Sequence, residues 1–126
     1  MKLILAIAAG GALGAIGRHL VMVQVGHWFG TGFPLGTIVV NVLGSFVLGV
    51  LVELMALIWS PSLELRAFLT VGAMGAFTTF STFSMDAVLL YERGAHAQVA
   101  AYIAASVVFS ILAFFIGLRL CRAVVL

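Results

Sequence analysis

Four long apolar runs, at about residues 3 to 24, 35 to 58, 65 to 91 and 97 to 121, occupy nearly the whole of this 126-residue chain. Each can cover the roughly 20 helical residues that a bilayer core requires. The expectation is an all-α membrane protein with four transmembrane helices, forming a single domain over residues 1 to 126. Composition agrees, with 64% hydrophobic and 8% charged residues against roughly 25% charged in a soluble domain. The gaps HWFGTGFP, SPSLE and ERGAH are too short to hide a soluble catalytic domain between spans. Function is therefore expected within the lipid bilayer itself.

The opening MKLILAIAAGGA imitates a signal peptide, with one lysine, a short apolar core and small residues. Its helix pattern continues toward Val25 and three more runs follow, so a retained first span is expected. The single cysteine, Cys121, has no partner in the chain and reads as a small apolar residue facing lipid or a neighbouring helix. The net charge is +2, but the basic residues are scattered singly and make no nucleic-acid patch. Loop Lys and Arg usually set orientation. Here Lys2, Arg66, Arg119 and Arg122 fall on one side, and Arg93 with Arg18 on the other. That bias is weak, and insertion in both orientations stays open.

Two spans carry polar stripes. Thr37, Asn41 and Ser45 lie at i, i+4 and i+8 of the second run, and Tyr102, Ser106 and Ser110 repeat that spacing in the fourth. In lipid such a stripe must turn toward another helix or water, because an unpartnered polar group costs several kcal/mol in hydrocarbon. Gluing of helices and lining of a pore both satisfy it, and two stripes in so small a chain suggest a common route. Gly10, Gly14 and Gly17 in the first run suit close helix packing. Arg18 fits either an anchor that snorkels to the headgroups or a residue of a water-filled vestibule. Glu53, near Trp59 and Pro61, fits interfacial exposure or a functional intramembrane carboxylate.

The third run contains GAFTTFSTFSMD, residues 75 to 86. Glycines 72 and 75 with Thr78, Thr79, Ser81, Thr82 and Ser84 offer the backbone alternatives to the helical ladder, predicting a break near the bilayer midplane. A break is tolerated in a membrane only where it is buried or lines water or an ion. Beyond it, Phe80 and Phe83 share one helical face, and Ser81 and Ser84 an adjacent one. Ring edges are the positive part of the aromatic quadrupole. A dehydrated small anion can be met there by ring edges, hydroxyl protons and the Asn41 amide, with no full charge to trap it.

Enzymology has little support. No Ser, His and Asp set has a nucleophile environment, His19, His27 and His96 lie singly near span ends, and GAMGAFTTF lacks the lysine of a phosphate loop.

The segments GALGAIGR, GTIVVNVLGS and GAFTTFSTFS, in that order along the chain, closely resemble the Fluc fluoride channels of bacteria. The resemblance implies a dual-topology, antiparallel homodimer in the bacterial cytoplasmic (inner) membrane, with two pores and passive, selective export of fluoride. It assigns Phe80 and Phe83 to the pore, Asn41 to the pore amide, and Thr37, Tyr102, Ser106 and Ser110 to a polar track, with Arg18 in a vestibule. It also implies a structural, non-transported Na+ at the dimer centre, held by the backbone carbonyls of Gly75 and Thr78. Sodium is a hard cation that takes oxygen ligands. Asp86 stands where the family often has glutamate, and it receives no role. The alternatives are a small proton-coupled multidrug exporter, whose first span would carry a carboxylate that this one lacks, and a non-conducting scaffold.

Overall fold

A computed structural model describes residues 1–126. Helix α1 runs over Lys2–Phe29 and α2 over Leu35–Leu57. The third run folds as α3 (Leu63–Ala67), a π-helical stretch Phe68–Met74, the short α4 (Gly75–Phe77) and then α5 (Phe80–Glu92). Helix α6 covers His96–Val125. Four helical stretches, Lys2–Phe29, Leu35–Leu57, Leu63–Glu92 and His96–Val125, are long and apolar enough to cross a membrane.

Glycine sets two of the turns. Gly30 ends α1 at φ 79 and Gly94 separates α5 from α6 at φ 76, both in the left-handed region that side chains disfavour. The connection into α3 uses Ser62, whose hydroxyl accepts the Leu65 amide at 3.2 Å and so satisfies one orphan donor of the helix start.

Two close helix pairs build the bundle. Helix α1 lies against the first half of the third run, where side chains on Gly10 and Gly14 would collide with the backbone carbonyls of Phe68 and Ala73. The glycines read as a packing stripe therefore do pack, and Gly17 faces the Phe77 ring. Helices α2 and α6 run side by side in parallel. A Cβ on Gly49 would strike the Phe114 carbonyl, and one on Gly117 the Phe46 carbonyl, so both glycines are required by backbone approach. Small residues permit such contact where lipid supplies no hydrophobic drive between helices. At the end of this pair Arg122 Nε donates to Glu53 Oε1. The interfacial reading of Glu53 is thus corrected: its side chain is only 6% exposed and is held by a cation 69 residues away in sequence. A carboxylate turned inward this way avoids lipid by finding a partner.

Helix α5 is the least enclosed element, touching only α6 and α2. Leu90 and Phe83 point inward to Tyr102, while Phe80, Met85, Val88 and Tyr91 lie exposed on the other side.

Candidate functional site

The polar residues of the second, third and fourth runs meet where the third run loses its helical form. Thr78 (φ −87, ψ 159) and Thr79 (φ −154, ψ 114) are extended. Each threonine finishes a different helix. The Thr78 hydroxyl donates to the Met74 carbonyl at 3.0 Å, and its amide reaches the same oxygen at 3.1 Å, closing the preceding stretch. The Thr79 hydroxyl accepts the Thr82 amide at 3.1 Å, capping α5.

Asn41 secures the extended pair. Its Nδ2 donates to the Thr79 carbonyl at 3.0 Å, and its Oδ1 accepts the Thr79 amide at 2.7 Å. One side chain thus satisfies both backbone groups of a residue that is 7% exposed, as a neighbouring strand would. An amide nitrogen has two protons, so the second remains for the groove that Asn41 also lines. Helix α2 reaches this point because Gly44 leaves room for the Thr78 methyl and the Phe77 ring.

The groove encloses about 360 Å³ between α2, the extended pair, α5 and α6. Asn41, Ser45, Thr79, Phe80, Phe83, Ser106 and Ser110 line it together with apolar residues, and no Lys or Arg does. The structure therefore unites Asn41, Phe80, Phe83, Ser106 and Ser110. Ser106 is 5% exposed and its hydroxyl has no partner in the protein. The Phe80 and Phe83 centroids lie 5.4 Å apart, and Phe83 continues to Tyr102 at 5.3 Å.

Thr37 and Tyr102 sit beyond the Phe83 end, outside the groove lining. Thr37 Oγ1 donates to Asp86 Oδ2 at 2.7 Å and Tyr102 OH donates to the same oxygen at 2.9 Å. Both donors are at most 1% exposed. Asp86, which received no role from the sequence, is thus the acceptor that organises two polar-track residues. Being the only carboxylate well inside the third run was the signal that pointed to it.

Ser81 and Ser84 turn away from the groove. Ser84 Oγ donates to the Phe80 carbonyl at 3.0 Å, Ser81 Oγ lies 3.3 Å from Thr79 Oγ1, and both residues are exposed in the single chain. Arg18 is half-buried on α1 and does not line the groove. Gly75 is exposed and Thr78 half-buried. Their carbonyls have lost their usual helical donors: the amide four residues after Gly75 belongs to Thr79 and goes to Asn41, and the one four after Thr78 belongs to Thr82 and goes to the Thr79 hydroxyl. These oxygens suit a hard cation.

Spans, polar groove and interrupted ladder define a multi-pass membrane protein with a polar path inside the bundle. The chain belongs to the family described as CrcB-like protein, Camphor Resistance (CrcB), matched over residues 5–118. It is 57% identical over 125 residues, covering 99% of each chain, to the fluoride-specific ion channel FluC of Rhodospirillum centenum. It is 53% identical over 116 residues to the FluC of Agrobacterium fabrum, covering 92% of this chain and 93% of the relative. To that of Chelativorans sp. it is 51% identical over 118 residues, covering 94% of each. The family is one of channels, not enzymes.

Proposed function

We propose that the protein is a fluoride-selective channel that lets fluoride leave the cytoplasm passively, acting as an antiparallel homodimer in the bacterial inner membrane. The observation that carries this is the groove: Asn41, Phe80, Phe83, Ser106 and Ser110 converge on one uncharged polar lane beside the interrupted helix. Such a lane offers a dehydrated anion several weak contacts and no fixed cation, so ions enter and also leave. The naming of close relatives as fluoride-specific channels supports fluoride as that anion. Fluoride enters cells as hydrogen fluoride and dissociates at neutral pH, so a passive path outward relieves its accumulation. The first span has no carboxylate, which disfavours a proton-coupled exporter.

A second copy fits the exposed side of α5, where Phe80 is 77% exposed. The weak four-to-two bias of Lys2, Arg66, Arg119 and Arg122 against Arg18 and Arg93 is compatible with insertion both ways, which gives opposed copies. The interruption at Thr78 and Thr79 falls in the middle of the Leu63–Glu92 span, so in a dimer it meets its counterpart near the midplane. The Gly75 and Thr78 carbonyls from each copy would hold Na+, which supplies positive charge where unpaired oxygens converge. Arg18 follows Gly17, which faces the Phe77 ring beside the interruption, the Thr37, Tyr102 and Asp86 cluster stands beyond the Phe83 end of the path, and Ser81 and Ser84 are on the face that the second copy covers.

Proteoliposomes loaded with fluoride test the reading. Rapid fluoride release with chloride retained, lost when a large organic cation replaces sodium throughout purification, is the expected result. Equal release of both halides rejects selectivity, and full activity after exhaustive sodium removal rejects the cation site.

A further inference from the structure

The strap between α1 and α2, residues 30–34, is fastened across the bundle at two adjacent residues. Arg93, which ends α5, donates from Nη2 to the Gly32 carbonyl at 3.0 Å. The next residue, Phe33, is half-buried against the cluster of Phe83, Leu90 and Tyr102. Its ring meets Tyr102 with centroids 5.7 Å apart and planes at 88°, the edge-to-face arrangement that the aromatic quadrupole favours. Pro34 then restrains the chain at φ −77, and the Leu35 amide donates back to the Phe33 carbonyl at 2.8 Å. Phe33 is thus set in place from both of its sequence neighbours.

These contacts close a circuit. Asp86 and Arg93 lie seven residues apart on α5, about two turns and nearly one face. From Asp86 the circuit runs through the Tyr102 hydroxyl at 2.9 Å, the Tyr102 and Phe33 rings and the Gly32 carbonyl to Arg93, and so back to α5. A row of four rings, Phe80, Phe83, Tyr102 and Phe33, therefore leads from the groove to the strap. The strap also borders open space. Recesses of about 380 and 180 Å³ lie against it, and Thr31, Pro34 and Asp86 line both. Phe33 lines the smaller one, whereas Tyr102 lines neither and is 0% exposed. Water thus comes close to Asp86 while the tyrosine that donates to it stays dry behind Phe33. A hydrogen bond shielded from water is stronger, and its loss is felt more, than one in solvent.

We propose that Phe33 is a positioning residue for conduction: seated on Tyr102 and latched through Gly32 by Arg93, its ring holds the Tyr102 hydroxyl on Asp86 at the end of the path. The proposal rests on the channel reading for the process that Phe33 serves. A small side chain at this position frees the Tyr102 ring to turn and opens it to the recess. Water then competes for the hydroxyl proton, and Asp86 keeps only Thr37 as a donor. An anion reaching that end meets a carboxylate whose charge is less compensated.

Two measurements on the full-length protein test this: fluoride flux from proteoliposomes, and the Tyr102 NMR signal of protein carrying carbon-13 at the tyrosine ζ position in lipid nanodiscs. Tyr91→Phe separates the signals of the two tyrosines. Phe33→Ala should lower flux about three- to tenfold, the range of one hydrogen bond, and move the Tyr102 signal toward that of a hydrated phenol. Phe33→Leu, which keeps most of the bulk without the ring edge, should act in the same direction and serves if the alanine variant does not fold. In a Tyr102→Phe background no hydroxyl remains to be positioned, so Phe33→Ala should lower flux no further. Multiplying losses, or an unmoved Tyr102 signal in the Phe33 variants while the unaltered protein conducts fluoride selectively, would overturn the positioning role and leave the channel reading intact. A moved signal in a preparation that conducts no fluoride would uphold the grip on Tyr102 and overturn the channel reading. Arg93→Met should shift the signal the same way by less, and no shift would overturn the latch.

Discussion

The α2–α6 pair and helix α5 treat their polar residues in opposite ways. Along α2 and α6 the backbones touch at Gly49 and Gly117, Glu53 meets Arg122, and Asn41 spends its amide on Thr79. Apart from the Ser106 hydroxyl, these contacts are completed within one chain. Helix α5 instead leaves Phe80, Ser81 and Ser84 uncovered and turns Phe83, Asp86 and Leu90 inward. The contrast separates a wall that one copy finishes from a wall that one copy only begins. Contacts of the first kind hold the single chain together, whereas the uncovered side of α5 is where a second copy would complete a shared path.

Three sets of substitutions press on that division. The largest effect is expected at Gly49→Leu or Gly117→Leu, where any side chain meets a backbone carbonyl that cannot yield. Overpacking that no side-chain movement can relieve forces the backbones of α2 and α6 apart; the outcome is loss of folded protein in size-exclusion profiles. Gly11→Leu, with open space around it, should purify normally.

Next comes the pair of phenylalanines. Phe83→Ala removes a buried ring packed on Tyr102 and should lower thermal stability by about 3–5 kcal/mol. Phe80→Ala removes a ring that is 77% exposed in the single chain. It should barely change the fold of the chain while abolishing most fluoride flux in liposomes. Equal stability losses in the two variants would erase the distinction between the walls.

The smallest effect belongs to the Glu53 and Arg122 pair, and its sign depends on which partner is removed. Arg122→Gln leaves a carboxylate that is 6% exposed without its cation, whereas Glu53→Gln leaves a guanidinium that is 45% exposed and reachable by water or headgroups. Melting curves should therefore place Arg122→Gln below Glu53→Gln, with both close to wild type in fluoride flux.

Much of the site could be read before any coordinates. The i, i+4, i+8 stripes led to Asn41, Ser106 and Ser110, and the glycine and hydroxyl cluster led to Thr78 and Thr79, because both signals are local and periodic. What escaped depended on distant pairings. Nothing in the sequence says that Asn41 would bond the backbone of a residue 38 positions on, that Thr37 and Tyr102 would share Asp86, or that Glu53 would find Arg122. That Ser81 and Ser84 lie outside the groove of the single chain escaped for a related reason. Two adjacent faces of one helix look alike until the neighbouring helix shows which is covered.

The π-helical stretch Phe68–Met74 holds a surplus of chain within its turns, upstream of the third-run residues that line the groove. Each residue of an α-helix advances the side chains by about 100°. That surplus thus acts as a phase adjuster. It decides which angular sector of α5 meets α6 and which is left for another surface, and the clamp from Asn41 to Thr79 keeps the extended pair from absorbing the difference. The orientation of Phe80 and Phe83 is inherited from a segment that touches neither of them.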